Sequence, residues 1–203
     1  ACTSFTAGGG VNFAATGETA PVCVKSVESG QKAVFPLVVH NKIGSADSYD
    51  LLGAGSNGSI NTAGFAASLP AGWTVEFRRP VNAIGNLSVA QAAAATCLPA
   101  AVSTMAVIIN TGNISAGDAM AVCAVVSIPA NQTNTTQSLF FRAASPASVS
   151  YSSNPLTAAA FDVKHDQVVV TNNNLSALTI APNRTGQVYP GGNVVYSHQV
   201  CNV

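Results

Sequence analysis

The sequence predicts an all-β protein built as a β-sandwich. Short segments of alternating or continuous apolar residues recur along the chain, and turns rich in Gly, Pro, Asn and Ser separate them. Only the Ala-rich segment 89–96 has helical character. Seven or so short strands with such turns and almost no helix are typical of two packed β-sheets.

The predicted elements begin after an N-terminal arm. Residues 1–26 are rich in Gly, Ala and Thr and carry one apolar stretch at 21–25, so they predict an arm or entry strand rather than a domain. Strands are predicted at 33–40, 48–52, 74–78, 104–109, 119–128, 137–143 and 161–171. Trp73, the only tryptophan, follows a Pro-x-Gly turn and leads into a strand, which predicts a core anchor; a ligand-stacking side chain is the alternative.

One segment of the chain occurs twice. Residues 27–41 align without a gap on residues 188–202, and each copy contains a turn with Gly, an alternating strand and a final Asn. The identical pairs are Val27/Val188, Gly30/Gly191, Val34/Val195, Val39/Val200 and Asn41/Asn202. Only Val203 follows the second copy, so we expect a strand over 192–203 that lacks partners of its own. The predicted organisation is an arm at 1–26, a sandwich at 27–171, and at 172–203 a linker plus the first strand of a following repeat, or a donor strand.

The second copy contains the predicted assembly strand. Its alternation places Val194, Tyr196, His198 and Val200 on one face, and Val195 and Cys201 on the other. A strand of this kind exposes unpaired backbone groups, so we expect it to lie along an edge of a neighbouring subunit's sandwich. Repeated head to tail, this contact builds an open filament.

The low charge of the chain also favours a subunit of an assembly. Lys and Arg number 8, Asp and Glu number 8, and together they make up 8% of the residues, whereas about 25% is usual. A chain without a basic field is not expected to bind nucleic acid, and no apolar run is long enough to predict a membrane span. The composition favours a subunit that buries surface in an assembly; the alternative is a secreted protein with an uncharged polar surface. A start at Ala1 suits a mature extracellular protein whose leader was removed.

Five cysteines and seven sequons add candidate modification sites. A bond between Cys97, in a small-residue loop, and Cys123, in a strand, is the first expectation, and Cys201 is expected to bond Cys2 or Cys23 of its own or a neighbouring chain. The alternative is that several of the five are buried thiols. Glycosylation is considered at Asn57, Asn86, Asn113, Asn131, Asn134, Asn174 and Asn183.

Several short motifs, taken in order, resemble a known family. They are Gly30 with Val39–Asn41, Asp47–Leu51, Leu69–Phe77, Ile114–Asp118, Ile128–Asn131, Ala143–Ser145, and 182–186 with 189–198. Their order resembles an Ig-like repeat of prokaryotic surface proteins, a conserved repeat of unknown function that is similar to the Ig-like module attached to some α-galactosidases. Over 27–203 the resemblance implies an Ig-like sandwich, tandem repeats and a cell-surface setting, with no shared catalytic residues. Residues 41–44 depart from the family's Asn-Thr-Gly.

No pattern predicts catalysis or a cofactor. The histidines His40, His165 and His198 lack metal-ligand spacing, and no nucleophile elbow or phosphate loop occurs. Asp47 and Asp50 are candidates for a calcium loop, but a turn-capping role is favoured. We therefore expect no enzyme.

The function expected from the sequence is an extracellular structural subunit of a cell-surface filament or lattice, a homopolymer joined by strand addition. A fragment of a long tandem Ig-like surface-layer protein or adhesin is the first alternative. A carbohydrate-binding or adhesive module is the second.

Overall fold

A computed structural model describes residues 20–55, 69–145, 161–172, 178–181 and 185–202. The chain divides after Asn172 into two compact units.

The first unit is a sandwich of two four-stranded sheets. Its strands are β1 (Cys23–Glu28), β2 (Lys32–His40), β3 (Asp50–Ala54), β4 (Thr74–Arg79), β5 (Ala106–Ile108), β6 (Ala119–Ser127), β7 (Thr135–Ala144) and β8 (Phe161–Thr171). The first sheet has the order β1-β8-β7-β3 and the second has the order β2-β6-β4-β5. All neighbours are antiparallel except β1, which runs parallel to β8.

This arrangement confirms the predicted Ig-like sandwich. The neighbours β2, β6 and β4 correspond to strands B, E and D of an Ig domain, and β3, β7 and β8 correspond to C, F and G. Strand β1 begins at Cys23, inside the segment predicted as an arm or entry strand, and pairs along its length with Asp166–Thr171. The alternation within 23–28 sends Cys23 and Val27 to the core, which explains why this stretch joins the sheet.

The core fills the space between the two sheets. Its large members are Phe35, Leu37, Tyr49, Trp73, Phe77, Met120, Leu139, Phe141, Val168 and Val170. The rings of Phe35 and Phe141, one from each sheet, lie with their centroids 5.5 Å apart. Burial of these side chains is the main force that holds the sheets together.

A covering segment, residues 80–105, lies over the outer face of the second sheet. It contains helix α1 (Val89–Ala94), started by a capping box between Ser88 and Gln91, and a 3₁₀ helix at Pro99–Thr104. Val102 and Met105 pack on β2 and β6, and the Ala-rich helix packs on Ala119 and Ala121. The 3₁₀ helix includes Thr104, the residue expected to begin a strand, and β5 at Ala106–Ile108 is shorter than the predicted strand 104–109.

The predicted bond between Cys97 and Cys123 is confirmed, and it fastens the covering segment to β6. The two Cα atoms lie 5.6 Å apart, within the usual range for a disulfide. The segment is thus held by one covalent bond as well as by apolar contacts.

The second unit contains two paired strands. Strand β9 (Leu178–Ala181) runs antiparallel to β10 (Gln199–Asn202). The prediction of a continuous strand over 192–203 without partners is therefore wrong in two respects, because the strand is confined to 199–202 and has a partner in its own chain. Residues 192–198 form no ladder with any described residue, and a strand exists only where its backbone groups are paired.

Candidate assembly segment

The turn that opens the repeat is built in the same way in both copies. In the first copy Gln31 N donates to the Glu28 carbonyl at 3.1 Å, and in the second Gly192 N donates to the Tyr189 carbonyl at 2.9 Å. These two bonds join equivalent positions of the alignment. The glycine between them is left-handed in both copies, with φ of 81° at Gly30 and 89° at Gly191. A residue with a Cβ is strained in this conformation, which explains the identity of the two glycines.

Asn41, at the end of the first copy, links three segments of the sandwich. Its Nδ2 donates to the carbonyls of Ser45 at 2.9 Å and Ile114 at 2.8 Å. Its Oδ1 accepts the Tyr49 hydroxyl at 2.8 Å and the Ile43 N–H at 2.9 Å. The side chain is fully buried, so each of these bonds replaces water that cannot reach it. Asn202 occupies the equivalent position in the second copy.

The remaining identical positions also have structural roles in the first copy. Val39 lies in the core between the sheets, and Val27 packs against that core. Val34 faces the opposite way and is buried beneath the covering segment. All five identities therefore fall at positions that the first sandwich uses for a turn, a core contact, the covering layer or a buried hydrogen-bond centre.

The second copy presents the equivalent side chains to solvent. Val194, Val195 and Tyr196 are 38%, 91% and 41% exposed, whereas their equivalents Ala33, Val34 and Phe35 are at most 1% exposed. His198 is also exposed, and its ring centroid lies 6.4 Å from that of Tyr196. We call residues 188–202 the assembly segment; it has the sequence of a sandwich strand, but among the described residues its 192–198 stretch has no sheet to complete.

The rest of the predicted assembly strand lies in β10. Val200 pairs with Ile180, and Cys201 pairs with Thr179. The predicted face of Val194, Tyr196, His198 and Val200 is thus divided between an unpaired stretch and a two-stranded ladder.

The other predicted cysteines and sequons are distributed over the chain. Cys23 is disulfide-bonded, and Cys2 lies outside the described residues. Exposed sequon asparagines are Asn86, Asn113, Asn131 and Asn134; Asn57, Asn174 and Asn183 lie outside the described residues. Asn86 Nδ2 donates to Ser115 Oγ, and Asn134 Oδ1 accepts the Asn172 N–H.

The residues considered for a ligand or metal have structural partners. Trp73 is 5% exposed, and its Nε1 donates to Gln132 Oε1 at 3.3 Å, so it is a core residue and not a stacking platform. Asp47 Oδ1 accepts the N–H of the adjacent residue Ser48 at 2.8 Å. Asp50 Oδ1 accepts Asn110 Nδ2 at 2.6 Å. Within the described ranges, no three His, Cys, Asp or Glu side chains are grouped to hold a metal ion.

A buried charge cluster lies between the sheets, and sequence reasoning did not single it out. Asp166 is fully buried, and its Oδ2 lies 3.0 Å from Lys164 Nζ. Lys164 Nζ also donates to the Pro36 carbonyl at 3.4 Å. Lys25 Nζ lies 5.6 Å from the centroid of the Phe35 ring, a cation–π geometry. The cluster thus connects β1, β2 and β8.

Burial shifts the pKa values of Asp166 and Lys25 toward their neutral forms. It raises the pKa of Asp166, although Lys164 and Lys25 oppose the shift, and it lowers the pKa of Lys25. The signal in the sequence is the alternation of β8, because Lys164 and Asp166 share a face with Val168 and Val170. A charged residue in register with core valines marks a buried pair.

Comparisons with known proteins add little to this description. No family model matches the sequence, and no curated protein matches it. Among solved structures, the chain is similar to a family 123 glycoside hydrolase from Clostridium perfringens, with 13% identity, a TM-score of 0.38, and 73% of this chain and 23% of that chain covered. It is also similar to PapD-like domain 7 of human CEP192, with 8% identity, a TM-score of 0.31, and coverage of 73% and 80%. The chain spans about a quarter of the hydrolase, and likenesses this distant carry no inference about function. In the described part of the chain, no helix has the length and apolar character needed to cross a membrane.

Proposed function

We propose that this chain is an extracellular structural subunit that assembles head to tail, with its assembly segment added to the sandwich of a neighbouring copy. The observation that carries the proposal is the contrast between the two copies of the repeat. Residues that the first copy buries in a sandwich are exposed in the second, although both copies form the same opening turn. The exposed stretch needs a sheet, and a second copy of the chain provides one.

Strand addition is the interaction that this stretch suits. An extended segment that joins a sheet edge gains backbone hydrogen bonds along its length, while alternate side chains fill apolar positions. Residues 185–202 contain no Asp, Glu, Lys or Arg, so their burial removes no full charge from water. A head-to-tail contact of this type is heterologous and propagates into a filament unless its rotation closes a ring. The disulfide between Cys97 and Cys123 is compatible with an oxidising, extracellular setting.

A second candidate is favoured by the pairing of β9 with β10. In Ig domains with an ABED sheet the first strand pairs antiparallel with the second, the relation that β9 has to β10, whereas the first strand of the sandwich at 23–171 pairs with β8. The second unit then begins another Ig-like sandwich that a longer chain completes. This is the arrangement of a tandem surface-layer protein or adhesin, the setting implied by the resemblance to surface-protein repeats.

The experiment that tests the proposal is sedimentation velocity with negative-stain microscopy on the 203-residue chain. Strand addition in trans predicts polymers that grow with concentration and are lost in Val195→Lys, because a lysine at this position opposes burial of the strand. Val81→Lys is the matched control, since Val81 is also an exposed valine but lies outside the repeat.

The two candidates give different results. A wild-type chain that stays monomeric at every concentration, together with a native protein much heavier than 20.4 kDa, supports the tandem candidate. A monomer whose native polypeptide mass equals 20.4 kDa contradicts both.

A further inference from the structure

The proposed function requires a sheet edge that receives the assembly segment, and the sandwich does not offer all its edges equally. Resting on that proposed function, we infer that the receiving edge is the outer edge of β5 in a second copy of this chain. Among the described residues, the sheets end at β1 and β3 in the first sheet and at β2 and β5 in the second.

Strand β5 has the properties of an available edge. Among the described residues it pairs only with β4, through Ala106, Val107 and Ile108. Val107 is 56% exposed, and Ile109, which follows the strand, is 81% exposed. The surrounding stretch 102–117 contains no Asp, Glu, Lys or Arg. An exposed apolar edge without charge or proline lacks the usual protection against strand addition.

The edges of β3 and β2 are less available. Alongside β3, Leu51 N donates to the Ile109 carbonyl at 2.9 Å, and Thr111 N donates to the Tyr49 carbonyl at 2.9 Å, so the chain after β5 already occupies this side. In β2, Pro36 has no N–H to donate to an added strand. The Pro36 carbonyl already accepts Lys164 Nζ, which removes a second group from that edge.

The remaining edge strand is β1, in which Val24 and Glu28 already have interaction partners. It carries two exposed apolar side chains, Val22 and Val24, but it also contains Lys25 and Glu28. An added strand would place uncharged residues beside the exposed Glu28 carboxylate and cost desolvation. Neither β5 nor the assembly segment contains a charged residue, so their pairing brings no charge on either strand out of water. The observations therefore favour β5 over β1.

The contact gives each copy one donor and one acceptor. Val195 and Val107 are exposed valines on the two proposed partners, and burial of a valine contributes enough free energy to change association about tenfold or more. Val107→Lys disrupts the receiving edge at β5 and leaves the assembly segment intact. Val195→Lys disrupts the assembly segment and leaves the receiving edge intact. Neither position belongs to a core cluster, so both variants are expected to fold.

The test compares self-association of wild type, Val107→Lys, Val195→Lys and the β1-edge control Val24→Lys, with thermal unfolding as the check on folding. We expect wild type and Val24→Lys to polymerise, and Val107→Lys and Val195→Lys to remain monomeric when separate, with association at least about tenfold weaker. Mixing the two monomeric variants should restore a single contact, between the intact segment of Val107→Lys and the intact β5 of Val195→Lys. A 1:1 heterodimer is the expected product.

The outcomes separate this inference from the function on which it rests. If Val107→Lys polymerises like wild type while Val195→Lys does not, the β5 edge is wrong and strand addition stands. Loss of polymer in Val24→Lys alone assigns the receiving edge to β1 and overturns the inference. If the mixed variants form no heterodimer, β5 is not the acceptor. A monomeric wild type contradicts both the inference and the proposed strand addition.

Discussion

Replacement of Asn41 by alanine tests whether the Asn that ends the first copy of the repeat stabilises the sandwich. The side chain makes four buried or part-buried hydrogen bonds, to Ser45, Ile114, Tyr49 and Ile43. Asn41→Ala removes all four and leaves buried polar groups without partners. A hydrogen bond contributes about 1 kcal/mol net, and an unsatisfied buried group costs about 1–3 kcal/mol. Allowing for relaxation and for water reaching the outer partners, we expect the free energy of unfolding to fall by about 2–4 kcal/mol.

The assay is urea unfolding followed by far-UV circular dichroism, because the difference between variants depends little on the extrapolation when the slope is unchanged. Tyr49→Phe removes only the bond from the hydroxyl to Asn41 Oδ1 and should cost about 1 kcal/mol. Lys42→Ala, at the exposed neighbouring position, is the matched control and should stay within about 0.5 kcal/mol of wild type. If Asn41→Ala also stays within that range, Asn41 is not the link between the β2–β3 and β5–β6 loops, and its identity with Asn202 has no structural basis of this kind.

Three other changes test separate parts of the structure. Replacing both Cys97 and Cys123 by alanine should lower the free energy of unfolding by about 3 kcal/mol, because the disulfide closes a loop and so limits the entropy of the unfolded chain. An unchanged melting temperature would show that apolar packing alone holds the covering segment. Gly30→Ala should lower the free energy of unfolding by about 1–2 kcal/mol because φ at Gly30 is 81°. Gly44→Ala is the control and should cost less, because Gly44 has no positive φ and nothing lies within 4 Å of an added Cβ. Equal melting temperatures of the two variants would contradict a strained turn at Gly30. The raised pKa of Asp166 means that the folded state binds its proton more tightly than the unfolded state. Its stabilising contribution is therefore fully present below the unfolded pKa and is lost as pH rises through the folded pKa. Asp166→Asn should remove that component from the pH dependence of unfolding, and an identical pH profile in the variant would refute it.

The turns and the repeat made much of the first unit predictable. Alternation and turn chemistry predicted most of the strands, and the duplicated Gly predicted a turn in each copy, where the structure has Gly30 and Gly191 in the left-handed conformation. The pairing of β1 with β8 could not be predicted from the sequence, because Lys25 interrupts the apolar alternation of this strand. The structure shows that Lys25 lies over the Phe35 ring in the parallel register beside β8. The covering segment is rich in alanine, which does not specify a partner face.

The assembly segment shows the limit of alternation as a signal. Residues 192–198 have the pattern of the buried strand β2, yet they form no ladder among the described residues, because a strand depends on partners that periodicity does not provide. The buried Asp166 is a related case, since its effect on the core depends on Lys164 and Lys25 rather than on its own sequence position. Both features depend on tertiary or quaternary neighbours.

Hydrogen–deuterium exchange on assembled and dissociated protein tests the central claim most directly. The proposal predicts that amides in 193–198 exchange rapidly in the monomer and that those facing the receiving edge become protected on assembly, together with the amides of residues 106–108 that point away from β4. Protection of the assembly segment follows from its new backbone hydrogen bonds, and the same amides should remain unprotected in Val195→Lys. Assembled protein in which 193–198 still exchanges as fast as in the monomer would contradict strand addition through this segment.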